Sequence, residues 1–143
     1  MRGTVRDKTN GGKIGELKAA FGEHFSNLEL VDANLLTPES VNAAIAGSTY
    51  VVHTASPLLN DGDKAVETAV DGTLNVLKAC RTSGVKRCVV TGSVDAVVYT
   101  KEADKPPIGT AWTEASWSDL EAATKAGTYQ QSKTLAEQKA WEY

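Results

Sequence analysis

The sequence predicts a single α/β domain over residues 1–143, built on a doubly wound parallel sheet. Short runs rich in β-branched and aromatic residues alternate with longer segments whose apolar residues recur at helical spacing. The connections between these segments are short, which favours parallel strands joined by right-handed crossovers through helices. With 143 residues, 41% of them hydrophobic, the chain has the size and apolar content of one ordinary globular domain.

The first half of the chain alternates two strands with two helices. Met1 to Arg6 has the brief alternation of a strand, and Lys13 to Glu23 repeats its apolar residues at helical spacing. Leu28 to Ala33 alternates as a second strand. Pro38 then lies in the first turn of a helix that is predicted to end near Ala46.

The second half continues the alternation and then departs from it. Thr49 to His53 has the composition of a buried parallel strand, and a polar loop around Asn60 to Asp63 precedes a long, largely buried helix over Ala65 to Arg81. Arg87 to Thr91 is predicted to be the next strand. Thr100 to Gly127 is a long loop beyond the carboxyl end of that strand, the side where open α/β sheets bind ligands.

Composition and charge indicate small-molecule partners. A net charge of −3 offers no electrostatic footprint for nucleic acid or an anionic membrane. No apolar run approaches the roughly 20 residues that span a bilayer, and the residues after Met1 are polar, unlike a signal sequence. Cys80 and Cys88 lack Cys-x-x-Cys spacing, so we expect two buried free thiols in a reducing, cytoplasmic setting. We expect no metal site, and the sequence indicates no particular oligomeric state.

Tyr129 and Lys133 form the most suggestive pair in the sequence. Residues four apart on a helix share one face, and a nearby cation helps a phenol to exchange a proton near neutral pH. The same spacing also occurs where a tyrosine merely packs under the stem of a lysine. Spacing alone leaves both interpretations open.

Six short motifs follow one another along the chain. They are Thr4-Val5-Arg6-Asp7, His53-Thr54-Ala55-Ser56-Pro57, Gly72-Thr73-Leu74-Asn75-Val76-Leu77, Val89-Val90-Thr91-Gly92-Ser93, Trp117-Ser118-Asp119 and the run from Tyr129 to Glu137. In order and spacing they resemble the extended short-chain dehydrogenase/reductases, and within these the dihydroflavonol reductase and cinnamoyl-CoA reductase group. The resemblance covers nearly the whole chain and implies a Rossmann-like fold.

The resemblance implies an NADP(H)-dependent reduction of a carbonyl, or the reverse oxidation of an alcohol, on a small molecule. Tyr129 would be the general acid and would also contact the cofactor. Lys133 would assist the ionisation of Tyr129 and hold the nicotinamide ribose, and Ser93 would hydrogen-bond the substrate carbonyl. Hydride arrival creates an alkoxide, and a hydroxyl donor, a phenol and a cation all favour that charge. For Ser93 the alternative is a hydroxyl that caps the end of its own strand.

Basic residues imply NADP rather than NAD. Arg6 matches the family's contact to the 2′-phosphate, and Lys13 matches a second basic position. The structural alternatives are a solvated pair of Arg6 with Asp7 and a lysine on an exposed helix face.

Further cofactor contacts follow from the resemblance. Asn34 and Leu35 stand where the family has an adenine-side Asp-Leu, so a charge is lost and a polar contact kept. Thr54, Ala55 and Ser56, after the third predicted strand, would line the middle of the cofactor, and Thr91, at the end of the fourth predicted strand, would be a further cofactor contact. We expect His53 to be a packed, hydrogen-bonded histidine rather than an acid or base.

Two parts of the family's pattern are missing from this sequence. No Gly-x-Gly-x-x-Gly turn follows a first strand, and Gly11, Gly12 and Gly15 have the wrong spacing to replace it. The substrate-capping region that follows the tyrosine helix is also missing. We therefore expect an internal fragment that lacks the main pyrophosphate site and is weakly active or inactive alone.

Two other functions remain open. A nucleotide-sugar epimerase or dehydratase would use the same three side chains with NAD for a transient oxidation. A non-catalytic protein would bind the dinucleotide, or another protein, without turnover. Val98 stands where flavonoid reductases have asparagine, and Gly127-Thr128-Tyr129 departs from the cinnamoyl-CoA reductase pattern, so the substrate stays undetermined.

Overall fold

A computed structural model of the protein describes residues 1–57 and 64–143. In these residues four strands alternate with helices, and two further helices follow the last strand. The strands are β1 (Arg2–Val5), β2 (Glu29–Asp32), β3 (Tyr50–His53) and β4 (Arg87–Val90). The helices are α1 (Gly11–Phe21), α2 (Pro38–Ile45), α3 (Ala65–Thr82), α4 (Leu120–Ala126) and α5 (Thr128–Glu142).

The strands form two parallel pairs. β1 lies beside β2, with Thr4 opposite Val31, and β3 lies beside β4, with Val52 opposite Val89. Each pair is a two-stranded sheet in the described residues. Because each β-α-β unit returns the chain in the same direction, the predicted α/β class with parallel strands is confirmed.

A hydrophobic cluster joins α2 and α3 to the strands beneath them. Its buried members come from the two helices and are Val41, Ile45, Val76, Ala79 and Cys80. Val51 of β3 and Cys88 of β4 pack against this cluster from the sheet. The alternation of β3 and β4 therefore turns one set of side chains toward the helices and leaves Val52 and Val89 exposed.

Helix α5 packs against α3 and crosses the chain that follows β4. Its most buried side chains are small and polar: Ser132 is 1% exposed and Thr134 is 0% exposed. The hydroxyl of Thr134 donates to the backbone carbonyl oxygens of Gln130 at 2.9 Å and Asp95 at 3.2 Å. The hydroxyl of Ser132 donates to the backbone carbonyl oxygen of Tyr129 at 2.7 Å. Both buried hydroxyls therefore avoid the cost of an unpaired polar group. These contacts fix the rotation of α5 about its axis.

Several predicted boundaries are wrong in detail. Helix α1 begins at Gly11 rather than Lys13, because the side chain of Asn10 accepts from the Lys13 N–H at 3.1 Å and caps the helix earlier. The predicted loop from Thr100 to Gly127 contains α4, whose cap is Asp119. Cys80 is buried as predicted, but Cys88 is only partly buried. The polar loop predicted around Asn60 to Asp63 lies outside the described residues.

Within the parts of the chain that the structure describes, no helix combines the length and the apolar composition needed to cross a membrane.

Candidate active site

The carboxyl ends of β3 and β4 leave the sheet side by side. His53 lies opposite Val90, and the N–H of Thr91 donates to the carbonyl oxygen of His53 at 2.9 Å. The residues that follow each strand therefore meet at one edge, the usual ligand-binding edge of an open α/β sheet. A small cavity of about 20 Å³ lies there, which is room for about one water molecule.

Helix α5 contributes the cation of this cavity. Lys133 lines it together with the predicted cofactor residues Ala55, Ser56 and Thr91. Burial lowers the pKa of Lys133, and the carboxylate of Glu137, one turn further along the helix, acts in the opposite direction. The structure thus brings together four of the residues predicted to hold the cofactor.

Tyr129 lies in the first turn of α5, just after a glycine that redirects the chain. Gly127 has φ +148°, a backbone conformation that L side chains rarely adopt, and it separates the end of α4 from the start of α5. From this turn, the ring centre of Tyr129 is 5.7 Å from Nζ of Lys133, which is within the range of a cation–π contact. The predicted sharing of one helix face is therefore observed for this pair, although Tyr129 lines neither the small cavity nor the larger one described below.

His53 is buried at the bottom of the site. It is 7% exposed, and its Nε2 lies 3.5 Å from the hydroxyl oxygen of Thr73 on α3. Burial, and secondarily the charge of Lys133, lowers the pKa of His53, so the imidazole is neutral near physiological pH. This arrangement fits the expected packed histidine and leaves proton transfer to other groups.

Ser93 opens on a second, larger cavity of about 260 Å³. The other side chains around it come from the region before α4 and from α5, and include Glu114, Trp117 and Trp141. The Ser93 hydroxyl accepts from the N–H of Asp95 at 3.2 Å and caps a short 3-10 helix at Val94–Ala96. Since that bond uses only the oxygen, the Ser93 proton remains able to donate.

The remaining predicted cofactor residues lie apart from these two cavities, after β1, on α1, after β2 and after β3. Arg6 and Thr54 are exposed. Nζ of Lys13 is 3.0 Å from Glu16, an exposed helix pair of the kind considered as its alternative. Asn34 and Leu35 follow the carboxyl end of β2. The roles of these residues stay predictions.

Sequence reasoning gave no role to Glu137, which lies on the wall between the two cavities. Glu137 and Gly92 line both of them. One carboxylate oxygen of Glu137 accepts from the indole N–H of Trp141 at 2.9 Å. The sequence does contain a signal for its location: Glu137 stands four residues after Lys133 and therefore shares its helix face.

Comparison with known proteins agrees with the fold. The profile of the 3-beta hydroxysteroid dehydrogenase/isomerase family matches residues 13–142. Cinnamoyl-CoA reductase 1 of Petunia hybrida is 39% identical over 145 residues, which cover 99% of this chain and 41% of that protein.

Solved structures show the same relationship. Vestitone reductase from alfalfa (Medicago sativa) superimposes with a TM-score of 0.70 at 33% identity, over 99% of this chain and 43% of that one. Gre2 of Candida albicans in complex with NADPH gives a TM-score of 0.72 at 28% identity, over 99% and 44% of the two chains. The chain thus spans less than half the length of the proteins that it matches, and these relatives are reductases.

Proposed function

Because this chain belongs to the 3-beta hydroxysteroid dehydrogenase/isomerase family of extended short-chain dehydrogenases/reductases, we propose that it forms the acid–base centre and part of the dinucleotide site of an NADP-dependent reductase. The substrate would be the carbonyl group of a small molecule, or the corresponding alcohol in reverse. The observation that carries this proposal is the meeting of Lys133 with Ser56 and Thr91 in one cavity, with Tyr129 beside Lys133 on the same helix.

The donors around this cavity fit a dinucleotide. Ser56, Thr91 and Lys133 line the cavity at the ends of β3 and β4, and each carries a group that can donate to the hydroxyl oxygens of a ribose. Gly92, which also lines the cavity, presents bare backbone. NADPH supplies a hydride when it is bound. A relative that forms a complex with NADPH supports this cofactor, as do the basic side chains of Arg6 and Lys13.

Proton transfer falls to Tyr129. Its phenol gives a proton to the substrate oxygen as negative charge develops there, and Lys133, 5.7 Å from the ring centre, stabilises the phenolate left behind. The bond with the N–H of Asp95 uses only the oxygen of Ser93, and the Ser93 proton can therefore donate a hydrogen bond to the same substrate oxygen.

The chain's two unpaired cysteines fit a reducing compartment such as the cytoplasm.

The test is the Tyr129→Phe variant of the complete gene product, assayed by loss of NADPH absorbance with a panel of aldehydes and ketones. Removing the acid should lower kcat at least about 100-fold and change the Kd for NADPH by a much smaller factor, since the phenol is only one of several cofactor contacts. Tyr50→Phe is the matched control, because Tyr50 is 67% exposed on β3 and should keep the full rate.

Three results would contradict the proposal in different ways. A Tyr129→Phe variant with the rate of the wild type would remove Tyr129 from the mechanism. Wild-type protein that binds NADPH but reduces no member of the panel would favour a non-catalytic dinucleotide-binding protein. Turnover of a nucleotide sugar without net change in the cofactor would favour the epimerase or dehydratase chemistry.

A further inference from the structure

Helix α3 contacts the residues after β2 at two points that lie one turn apart. The side-chain amide of Asn75 donates to the carbonyl oxygen of Leu35 at 2.8 Å, in a partly buried position. A β-carbon on Gly72 would lie only 2.9 Å from Cβ of Leu35, so the absence of a side chain lets α3 approach this closely. Residues three apart share one helix face, and Gly72 and Asn75 therefore both contact Leu35 from the same side of α3.

The loop that contains Leu35 is further ordered by its own hydrogen bonds. The N–H of Asn34 donates to the hydroxyl oxygen of Ser40 at 3.0 Å. The N–H of Leu36 donates to Oδ1 of Asn34 at 3.0 Å. Since the amide oxygen of Asn34 accepts within the loop, Nδ2 is the end of its side chain that is left to donate to a ligand. Where a carboxylate would only accept, Asn34 presents N–H groups.

The geometry points to Asn75 and Gly72 as positioning residues for the base end of the dinucleotide. They fix the backbone of Asn34 and Leu35 at the carboxyl edge of β2, so that the loop is ordered before the ligand arrives and less entropy is lost on binding. This inference rests on the proposed function, and within it on the sequence-based prediction that Asn34 and Leu35 contact the cofactor. Neither Asn75 nor Gly72 touches the reacting atoms, so their effect falls on cofactor affinity and not on proton transfer.

Asn75→Asp is the sharpest variant, because aspartate has the same shape but no N–H to donate to Leu35. We expect its Kd for NADPH to rise about fivefold to tenfold, which corresponds to the loss of one partly buried hydrogen bond. The Kd for adenosine 2′,5′-bisphosphate, which carries only the adenine half, should rise by the same factor. In the complete gene product, kcat at saturating NADPH should stay at the wild-type value while KM for NADPH rises.

Gly72→Ala tests the same contact without removing the hydrogen-bond donor. Alanine is the better helix former, so the substitution does not weaken α3 itself, and its methyl group pushes Leu35 away from α3. It should weaken both nucleotides in the same direction as Asn75→Asp. Ile45→Val is the control: it loosens the core cluster, against which Leu35 also packs, but leaves the hydrogen bond between Asn75 and Leu35 intact, and it should weaken nucleotide binding much less than Asn75→Asp or Gly72→Ala.

The outcomes separate this inference from the proposed function. If the wild type binds NADPH and both Asn75→Asp and Gly72→Ala bind it as tightly, the positioning role is overturned while the reductase proposal stands. If Ile45→Val weakens nucleotide binding as much as they do, the effect is one of general stability and the positioning role is again overturned. If the wild type binds neither NADPH nor adenosine 2′,5′-bisphosphate, the proposed function fails and this inference fails with it.

Discussion

Glu137 occupies the space that a side chain on Gly92 would need. A β-carbon at Gly92 would lie 3.0 Å from one carboxylate oxygen of Glu137, and the other oxygen accepts from Trp141 at 2.9 Å. Glycine at position 92, just before Ser93, therefore lets α5 approach the chain at the end of β4 closely. The contact also forms the wall between the two cavities of the candidate site.

Gly92→Ala should be energetically coupled to Glu137→Ala. In the wild-type background the new methyl group displaces the carboxylate by a few tenths of an ångström, whereas in the Glu137→Ala background it has room. We expect a coupling free energy of about 1 kcal/mol, measured as a double-mutant cycle of urea unfolding. Additivity within about 0.3 kcal/mol would show that the two residues do not constrain each other.

Gly15→Ala is the matched control for that cycle. A β-carbon at Gly15, inside α1, would meet nothing within 4 Å. The substitution should stabilise the protein by about 0.5–1 kcal/mol, because glycine is the weaker helix former. The gain should be the same in the wild-type background and in the Glu137→Ala background.

His53→Gln should remove a pH dependence of stability. Burial holds the pKa of His53 below its ordinary value of 6.5, so between the folded value and 6.5 the unfolded chain binds the additional proton. The free energy of unfolding therefore rises with pH through this window and loses this contribution as the pH falls below 6.5. Urea midpoints taken between about pH 5 and pH 8 should show a flatter profile for the variant.

His24→Gln is the control for this measurement, since the protein has two histidines and His24 is the exposed one, with 76% of its side chain accessible. Its stability profile should follow that of the wild type. If His53→Gln and His24→Gln both follow the wild type, then His53 does not titrate differently in the folded and unfolded chains.

Local sequence patterns predicted most of the elements that carry the site. The prediction of a helix over Ala65 to Arg81 differs from α3 by one residue, because a long amphipathic period is a local property. The prediction of a strand over Thr49 to His53 agrees with β3, because a run of β-branched and aromatic residues is also a local property. Helix α4 was missed because its seven residues are too few to show a period, and its start depends on the cap at Asp119.

Contacts between distant parts of the chain were beyond prediction. The family resemblance implied Ser56, Thr91 and Lys133 separately as cofactor contacts, and the structure places all three in the lining of one cavity at the carboxyl ends of β3 and β4. The close approach of Gly72 to Leu35 depends on how α3 lies on the sheet. No periodicity in the sequence reports that distance, and the same is true of the wall formed by Glu137.

The two cysteines should differ sharply in reactivity. Cys80 is 5% exposed, and burial, with a smaller effect from the neighbouring Cys88, raises the pKa of its thiol to about 12. Because the thiolate is the nucleophile, iodoacetamide at about pH 8 should leave Cys80 unmodified in the folded protein. Cys88 is partly exposed and should be the residue that is labelled, as measured by peptide mass spectrometry.

Cys88→Ser supplies the control for the labelling experiment. The folded variant should take up no label, and unfolding in urea should expose Cys80 to the reagent. Rapid labelling of Cys80 in the folded protein would mean that the contact between the end of α3 and β4 opens readily.

Val76→Ala should destabilise the protein by about 2 kcal/mol. Val76 is 5% exposed and joins α3 to Val41 and Ile45 of α2. The substitution removes two buried carbon atoms, at about 0.8 kcal/mol each, and leaves a small cavity that adds to the cost. Urea unfolding should show a lower midpoint with an unchanged dependence on urea concentration.

Val94→Ala is the comparison for Val76→Ala, because Val94 is 66% exposed and its methyl groups already contact water. Its cost should stay below about 0.5 kcal/mol. A similar cost for both variants would mean that packing between α2 and α3 contributes little to stability. Leu35 packs against the same cluster, and the conformation of its loop would then depend mainly on the hydrogen bonds of Asn75, Ser40 and Asn34.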